Sequence, residues 1–301
     1  MKKKLLRYGA YTLLGLVVAA GATLGWALHR ADARLERRIE LPVAALKLPD
    51  DAAALERGRY LFASRGCTDC HGANGGGRVV IDDGKGLFVR GPNIAQGGAT
   101  VKDYRVEDWV RAIRHGVKPS GRPALIMPSE DYNRLSDADL GALIAYLQTL
   151  PPAEGGPAEI RLSLPVRVLY GLGLVQDAAE KIDHGQPPSP AMPHEVSVAN
   201  GAYVATMCIG CHGPGLSGGR IPGAPPDWPA AANLTPGEGS AMTRYQDAQQ
   251  FAAMMRSGRR PDGSAVSSVM PFNALKELDD VELQAMYAYL KTLGPRPAGQ
   301  R

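Results

Sequence analysis

Large aromatic side chains are scarce in this chain of 301 residues: 6% in all, with four Phe and three Trp. Gly (36) and Pro (24) are plentiful instead. That mix predicts many turns and a core thin in large side chains, one that a bulky cofactor would fill. Net charge is also missing from the body of the chain. The formal +4 equals the four positive charges of Lys2, Lys3, Lys4 and Arg7, so residues 8–301 sum to about zero. The basic pI is the property of a tail, and no basic face for nucleic acid is expected. Cysteine is absent except at four positions, Cys67, Cys70, Cys208 and Cys211, all within two short motifs. A disulfide framework spanning the chain is therefore not expected.

One long uncharged run is present, the 21 residues Tyr8–Leu28. As a helix it would measure about 30 Å, the hydrocarbon thickness of a bilayer. The basic residues before it place that end in the cytoplasm and the rest of the chain outside. Tyr8, Tyr11 and Trp26 sit near the ends of the run, where interfacial aromatics belong. The competing reading is a cleaved signal peptide ending near Ala31-Asp32-Ala33. The run is longer than a usual signal core, and His29 and Arg30 stand just before the candidate cut, so an uncleaved anchor is expected. Either reading exports the remainder of the chain.

The chain repeats itself. GRYLFASRGCTDCHG (58–72) matches GAYVATMCIGCHG (201–213), and Pro92-Asn93-Ile94 matches Ala232-Asn233-Leu234. Arg114-His115-Gly116 pairs with Arg256-Ser257-Gly258, and Ile126-Met127-Pro128 with Val269-Met270-Pro271. LSDADLGALIAYLQTL (135–150) returns as LDDVELQAMYAYLKTL (278–293). The offset stays between 140 and 143, so one domain of roughly 95 residues has been duplicated.

Each copy reads as mainly helical. A first helix covers about 52–65 and runs into the cysteine motif. A middle helix is expected over 106–114, ended by Gly116, with a twin over 247–256 ended by Gly258. In the closing helix, Ser136 with Asp139 and Asp279 with Glu282 resemble capping pairs, and Leu140, Leu143, Ile144 and Leu147 recur at helical spacing. The loops between are long and rich in Gly and Pro, which suits chain wrapped around a cofactor. In the connecting stretch, Val166–Val175 is apolar enough either to pack on a domain or to touch the membrane surface.

Cys67-Thr68-Asp69-Cys70-His71 and Cys208-Ile209-Gly210-Cys211-His212 carry the chemistry. C-x-x-C-H is the attachment pattern of c-type haem: two thiols a helical turn apart reach two vinyl groups, and the next residue supplies imidazole to the iron. A thioredoxin-like pair leaves the duplicated His unexplained. A shared zinc site does not suit motifs 141 residues apart in separate copies, and a Cys pair three apart in a helix constrains little. For the far face of each iron, Met127 and Met270 occupy one repeat position, each before Pro in a loop preceding the closing helix. Thioether with imidazole is the electron-transfer pairing. Met254, Met255 and Met286 lie in helical patterns and read as core fillers. His115, the rival ligand, has Ser257 as its twin and reads as a helix-end histidine.

Second-layer roles are looser. Pro92, Asn93 and Asn233 lie where a loop could accept the histidine N–H. Trp109 and Phe251 suit either a ring edge or an ordinary core, and Arg114 and Arg256 either propionates or solvent.

On these motifs, together with Gly91-Pro92-Asn93-Ile94 and the 109–116 segment WVRAIRHG, the chain resembles class I cytochrome c domains twice over. The arrangement is similar to the membrane-bound cytochrome c subunits of bacterial periplasmic dehydrogenases for alcohols, gluconate and aldehydes, which usually carry three haems where two motifs stand here. With the anchor read from the apolar run and placed over 1–30 (the similar subunits commonly carry theirs near the C-terminus), the resemblance implies a mainly α chain with a juxtamembrane linker over 31–49, cytochrome c domains over 50–152 and 196–296, a linker over 153–195 and a tail over 297–301. It implies two covalent haems whose iron is held by His71 with Met127 and by His212 with Met270. It also implies residence in the inner membrane with the haem domains on the periplasmic side. Electrons would pass from a dehydrogenase subunit towards a quinone- or oxidase-side acceptor, with no catalytic residue of the chain's own. A dihaem enzyme of peroxidase or thiosulfate-oxidising type, or a gas sensor, would need one exchangeable ligand; both copies keep a Met.

Overall fold

The computed structural model describes residues 2–225 and 227–300; Met1, Pro226 and Arg301 lie outside the described residues, as do the side chains of Lys2 and Leu5. The chain is mainly helical. Helix α1, Lys2–Glu36, is followed by an extended segment and then by the first copy. That copy contains α2 (Ala52–Ser64), α3 (Cys67–His71), α4 (Val106–His115), α5 (Ser129–Tyr132) and α6 (Asp137–Thr149). The connection holds α7 (Leu164–Gly171) and α8 (Ala178–Lys181). The second copy contains α9 (Val198–Val204), α10 (Ile209–His212), α11 (Ala248–Ser257), α12 (Phe272–Leu275) and α13 (Asp280–Thr292).

Helix α1 is longer than the apolar run and stays regular through Glu36, about 52 Å at 1.5 Å per residue. It is long and apolar enough to cross a membrane. Along its first two-thirds the described side chains are exposed, Leu13, Leu16 and Val17 each by more than 60%. Only near its C-terminal end do Ala27 and Ala31 become fully buried, against α7.

Within each copy the first and last helices cross at a glycine. A Cβ on Gly58 would lie 2.1 Å from the Ala142 carbonyl oxygen, and one on Gly201 would lie 2.0 Å from that of Ala285. Backbone therefore meets backbone at α2–α6 and again at α9–α13. The middle helices end as the sequence suggests, with Gly116 (φ 65°) and Gly258 (φ 68°) in the left-handed region that a Cβ disfavours. One core joins Leu61, Phe62, Trp109, Ile113, Leu140, Leu143 and Ile144. Its counterpart joins Val204, Phe251, Met255, Leu283, Met286 and Leu290. Met254, Met255 and Met286 are buried there, as core fillers should be.

Three short strands form an antiparallel sheet that helical periodicity does not announce: β1 (Val79–Asp82), β2 (Phe88–Arg90) and β3 (Glu159–Arg161), in the order β1-β2-β3. Strand β3 comes from the stretch read as a linker and returns to cover the first copy.

The two copies dock through matching elements. The Tyr60 hydroxyl accepts the backbone N–H of Asp279 (3.1 Å), and the Tyr203 hydroxyl accepts that of Ser136 (3.1 Å). Tyr60 and Tyr203 are repeat twins, as are Ser136 and Asp279, so each copy's first helix satisfies the start of the other's closing helix. Ser136 and Asp279 do cap their own helices, accepting from Asp139 and Glu282 N–H. The acidic partners do not close a capping box. The Asp139 carboxylate takes two hydrogen bonds from Arg57 (both 2.9 Å) and one from Tyr203 (2.7 Å). Glu282, fully buried, takes two from Arg65 (2.8 and 3.0 Å) and one from Arg57 (3.1 Å). Guanidinium groups, Arg57 of the same copy for Asp139 and Arg57 and Arg65 of the other copy for Glu282, offer these carboxylates more than their own helix N-termini do.

Candidate haem sites

In the first copy a cleft with about 1350 Å³ of empty space, its solvent mouth included, opens between the helices. Cys67, Cys70, His71 and Met127 all line it. Helix α3 presents the first three, and the loop before α5 presents the methionine from a residue 56 positions later. The remaining wall is largely apolar, with Phe62, Ile94, Trp109, Ile113, Leu143 and Leu147 among its members. Trp109 is thus both a cavity wall and a core residue.

His71 is oriented by its backbone neighbour. Its Nδ1 lies 3.0 Å from the Pro92 carbonyl oxygen, so Nδ1–H donates there and Nε2 keeps its lone pair. Burial, outweighing that hydrogen bond, lowers the His71 pKa and favours the neutral ligand form. In the second copy, His212 Nδ1 sits 2.8 Å from the Ala232 carbonyl oxygen, the position equivalent to Pro92. The asparagines expected beside these contacts have another job. Asn93 donates to Ala153 O and accepts from Ala95 N–H; Asn233 donates to Arg296 O and accepts from Thr235 N–H. They pin the loop that carries the accepting carbonyl.

Cys67, Cys70 and Cys208 sit in apolar surroundings, and Cys211 is exposed. Burial pushes both Cys67 and Cys208 up to about 12 and raises Cys70. Thiols so placed are weak nucleophiles in thiol exchange, which argues against a redox disulfide. Met270 and Cys208 pack on one core cluster, as Met127 and Cys67 do on the other. The first site therefore offers a slot with thiols and a neutral imidazole on one side, a thioether among its walls and apolar sides. This donor set suits an iron porphyrin, and it lacks the hard oxygen ligands or cysteine-rich cage of common alternatives.

Several side chains find partners that the sequence does not show. Arg114, buried, pairs with Asp137 (2.8 Å), and Arg256, exposed, pairs with Asp280 (2.5 Å); the two acids are twin residues in the first turns of the closing helices. His115 is absent from the cavity wall and lies with its Nδ1 3.1 Å from His184 Nδ1; burial, then His184, lowers its pKa to about 4. The stretch over 153–195 supplies Ala158 and Ile160 to the cavity. Arg65, just before the motif, also lines it while bound to Glu282 of the other copy. Asp131, four residues after Met127, accepts the N–H of Gly210 (2.9 Å), between Cys208 and Cys211. The methionine loop of one copy thus touches the attachment motif of the other. Neither contact has a local sequence signature, because Arg65 and Asp131 lack like-for-like twins.

Residues 53–147 match the family described as cytochrome c oxidase, cbb3-type, subunit III, and residues 198–294 match cytochrome c. Among curated proteins, the gluconate 2-dehydrogenase cytochrome c subunit of Pantoea cypripedii is 28% identical over 84% of this chain and 63% of its own length. The fructose dehydrogenase cytochrome subunit of Gluconobacter japonicus is 26% identical over 80% and 52%. The cbb3-type cytochrome c oxidase subunit CcoP of Helicobacter pylori (strain 52) is 30% identical over 46% and 43%. The chain spans between about half and three-fifths of the length of the gluconate, fructose and alcohol dehydrogenase cytochrome subunits it matches.

Proposed function

From a chain of two tandem cytochrome c domains, each the seat of one covalent c-type haem, we propose a membrane-anchored electron carrier. The haem, when bound, supplies a one-electron iron couple. The chain's own residues do the rest. Cys67 with Cys70, and Cys208 with Cys211, would fix each ring through thioether bonds. His71 and His212 present Nε2, held in place by the Pro92 and Ala232 carbonyls. Met127 and Met270 would each supply a thioether ligand to the iron, a pairing that raises the potential relative to a two-histidine site. Apolar walls exclude water and leave little to reorganise when charge changes. The observation that carries this reading is the convergence of Cys67, Cys70, His71 and Met127 on one cleft, from segments far apart in sequence.

The domains proposed are those drawn from the sequence, 50–152 and 196–296, with residues 158–161 added to the first by contact. The dehydrogenase-subunit names of the relatives support a dehydrogenase as donor, and the cbb3-oxidase likeness of the first domain supports an acceptor on the oxidase or quinone side. Helix α1 would cross the inner membrane with its basic end in the cytoplasm, leaving both haem domains periplasmic. A redox titration of the matured protein followed by visible spectroscopy tests this. Two couples with thioether-ligated spectra, unchanged by carbon monoxide in the reduced state, are expected. A spectrum that carbon monoxide alters would instead mark an open iron and an enzyme or sensor.

A further inference from the structure

Helix α1 does not end as a free tether. Ala27 and Ala31 are fully buried because Gly171 of α7 lies against them; a Cβ there would sit 1.9 Å from the Ala27 carbonyl oxygen. One to two turns further along, polar contacts take over. Arg34 donates to the Tyr170 carbonyl and pairs with Glu180, its guanidinium 4.1 Å from the Tyr170 ring centre. Arg37 meets the buried Asp177 through two hydrogen bonds (2.7 and 2.8 Å) and also donates to the Tyr170 hydroxyl, which itself donates to Asp177 (2.7 Å). Asp32 pairs with Arg167 at 2.5 Å. Anchor and connection form one packed unit.

The height of that unit is set by helix geometry. Counting about 30 Å of hydrocarbon from Tyr8, at 1.5 Å per residue, the far boundary falls near Leu28. Trp26 is half exposed there, with Arg30 5.0 Å from its ring centre, a pairing suited to a headgroup layer. Helix α7 therefore sits at the level where α1 leaves the lipid. At that level it exposes large apolar side chains: Leu164 (54%), Leu169 (39%), Leu172 (37%) and Leu174 (64%). Exposed leucines that continue the bare apolar surface of a spanning helix are explained by the surface that already covers that helix.

We propose that α7 and the turn after it rest in the outer headgroup layer, with these leucines against lipid, so that the chain grips the membrane surface at a second place. The proposal builds on α1 spanning a bilayer. It has a consequence for the first domain. Ile160 of β3 is a wall of the haem cavity and Leu164 opens α7, so four residue steps, no more than about 14 Å of chain, separate that wall from the lipid contact. The first site is thereby held close to the membrane in one orientation, suited to exchange with a partner at the membrane surface.

The test uses single cysteines introduced into the full matured chain, whose native thiols are taken up by haem. Spin labels at Leu169→Cys, Leu172→Cys and Leu174→Cys are measured in the reduced protein, in vesicles of phosphatidylethanolamine and phosphatidylglycerol. Leu13→Cys serves as the lipid reference and Lys276→Cys as the water reference. The clamp predicts that the three α7 labels favour collision with oxygen over a water-soluble nickel chelate several-fold more than the Lys276→Cys label does. If they match Lys276→Cys while Leu13→Cys remains in lipid, the clamp is wrong and the anchor stands. If Leu13→Cys also meets the chelate, the anchor falls, and the clamp with it. Labels shielded from both reagents would mean that protein covers the patch, which also overturns the proposal.

Discussion

Glu282 is the residue on which the docking of the two copies turns, and Glu282→Gln removes its charge with little change of shape. The carboxylate is fully buried and receives three guanidinium hydrogen bonds from Arg57 and Arg65, both on the first copy. Burial alone would raise its pKa; the charges of Arg65 and Arg57 overcome that and hold it at about 2, from an ordinary 4.5. A depression of that size corresponds to about 3 kcal/mol of folded-state stabilisation. Because the folded value is the lower one, this contribution is complete above about pH 4.5 and disappears as the pH falls towards 2. The variant lacks it at every pH and leaves Arg65, itself buried, without its counter-charge; breaking such a pair costs about 3–5 kcal/mol. For domains that unfold together this corresponds to a fall in Tm of roughly 6–20 °C. Thermal unfolding of the full chain in detergent micelles, followed by circular dichroism at pH 7 and through the acid range, reads both effects. The variant should be less stable at pH 7 and show a flatter decline below pH 4.5. Equal Tm values at pH 7, or an undiminished acid decline, would refute the assignment of this pair as the tie between the copies.

The same geometry sets three further outcomes. Met127→Ala and Met270→Ala should each lower the potential of one haem and let carbon monoxide bind there, leaving the other unchanged, as read by titration and optical spectra. Gly58→Ala and Gly201→Ala place a Cβ about 2 Å from a facing carbonyl oxygen, so each should lower the denaturation midpoint by an amount equivalent to about 1–3 kcal/mol or more. Tyr203→Phe and Tyr60→Phe should each destabilise: both strand a helix-start N–H, and each hydroxyl also bonds a carboxylate, Asp139 for Tyr203 and Glu282 for Tyr60, so about 1–3 kcal/mol is expected for each in urea titrations.

The features legible in the sequence are those that are local or repeated. The attachment motifs, the Met-Pro pair, the glycine-ended middle helices and the capped closing helices all recur at a near-constant offset, so each copy supports the reading of the other. The Pro92 carbonyl opposite His71 is foreseeable because second-layer acceptors for ligating histidines are a general need. The sheet is not, because β3 pairs with a strand about 70 residues earlier and three-residue strands carry no usable period. The tie between the copies reads in sequence as capping: Asp139 and Glu282 stand where a box would place them, and only the folded chain brings Arg57 and Arg65 within reach. Val166–Val175 is open between two surfaces in the sequence, and in the fold it packs on α1 at Gly171 while exposing its leucines elsewhere.

The proposed electron transfer depends on covalent attachment at both motifs. Mass spectrometry of peptides from protein matured in a host that exports it measures this directly. One haem mass on the peptide containing Cys67 and Cys70, and one on that containing Cys208 and Cys211, is the predicted result. Unmodified thiols at either motif in coloured, fully folded protein would contradict it.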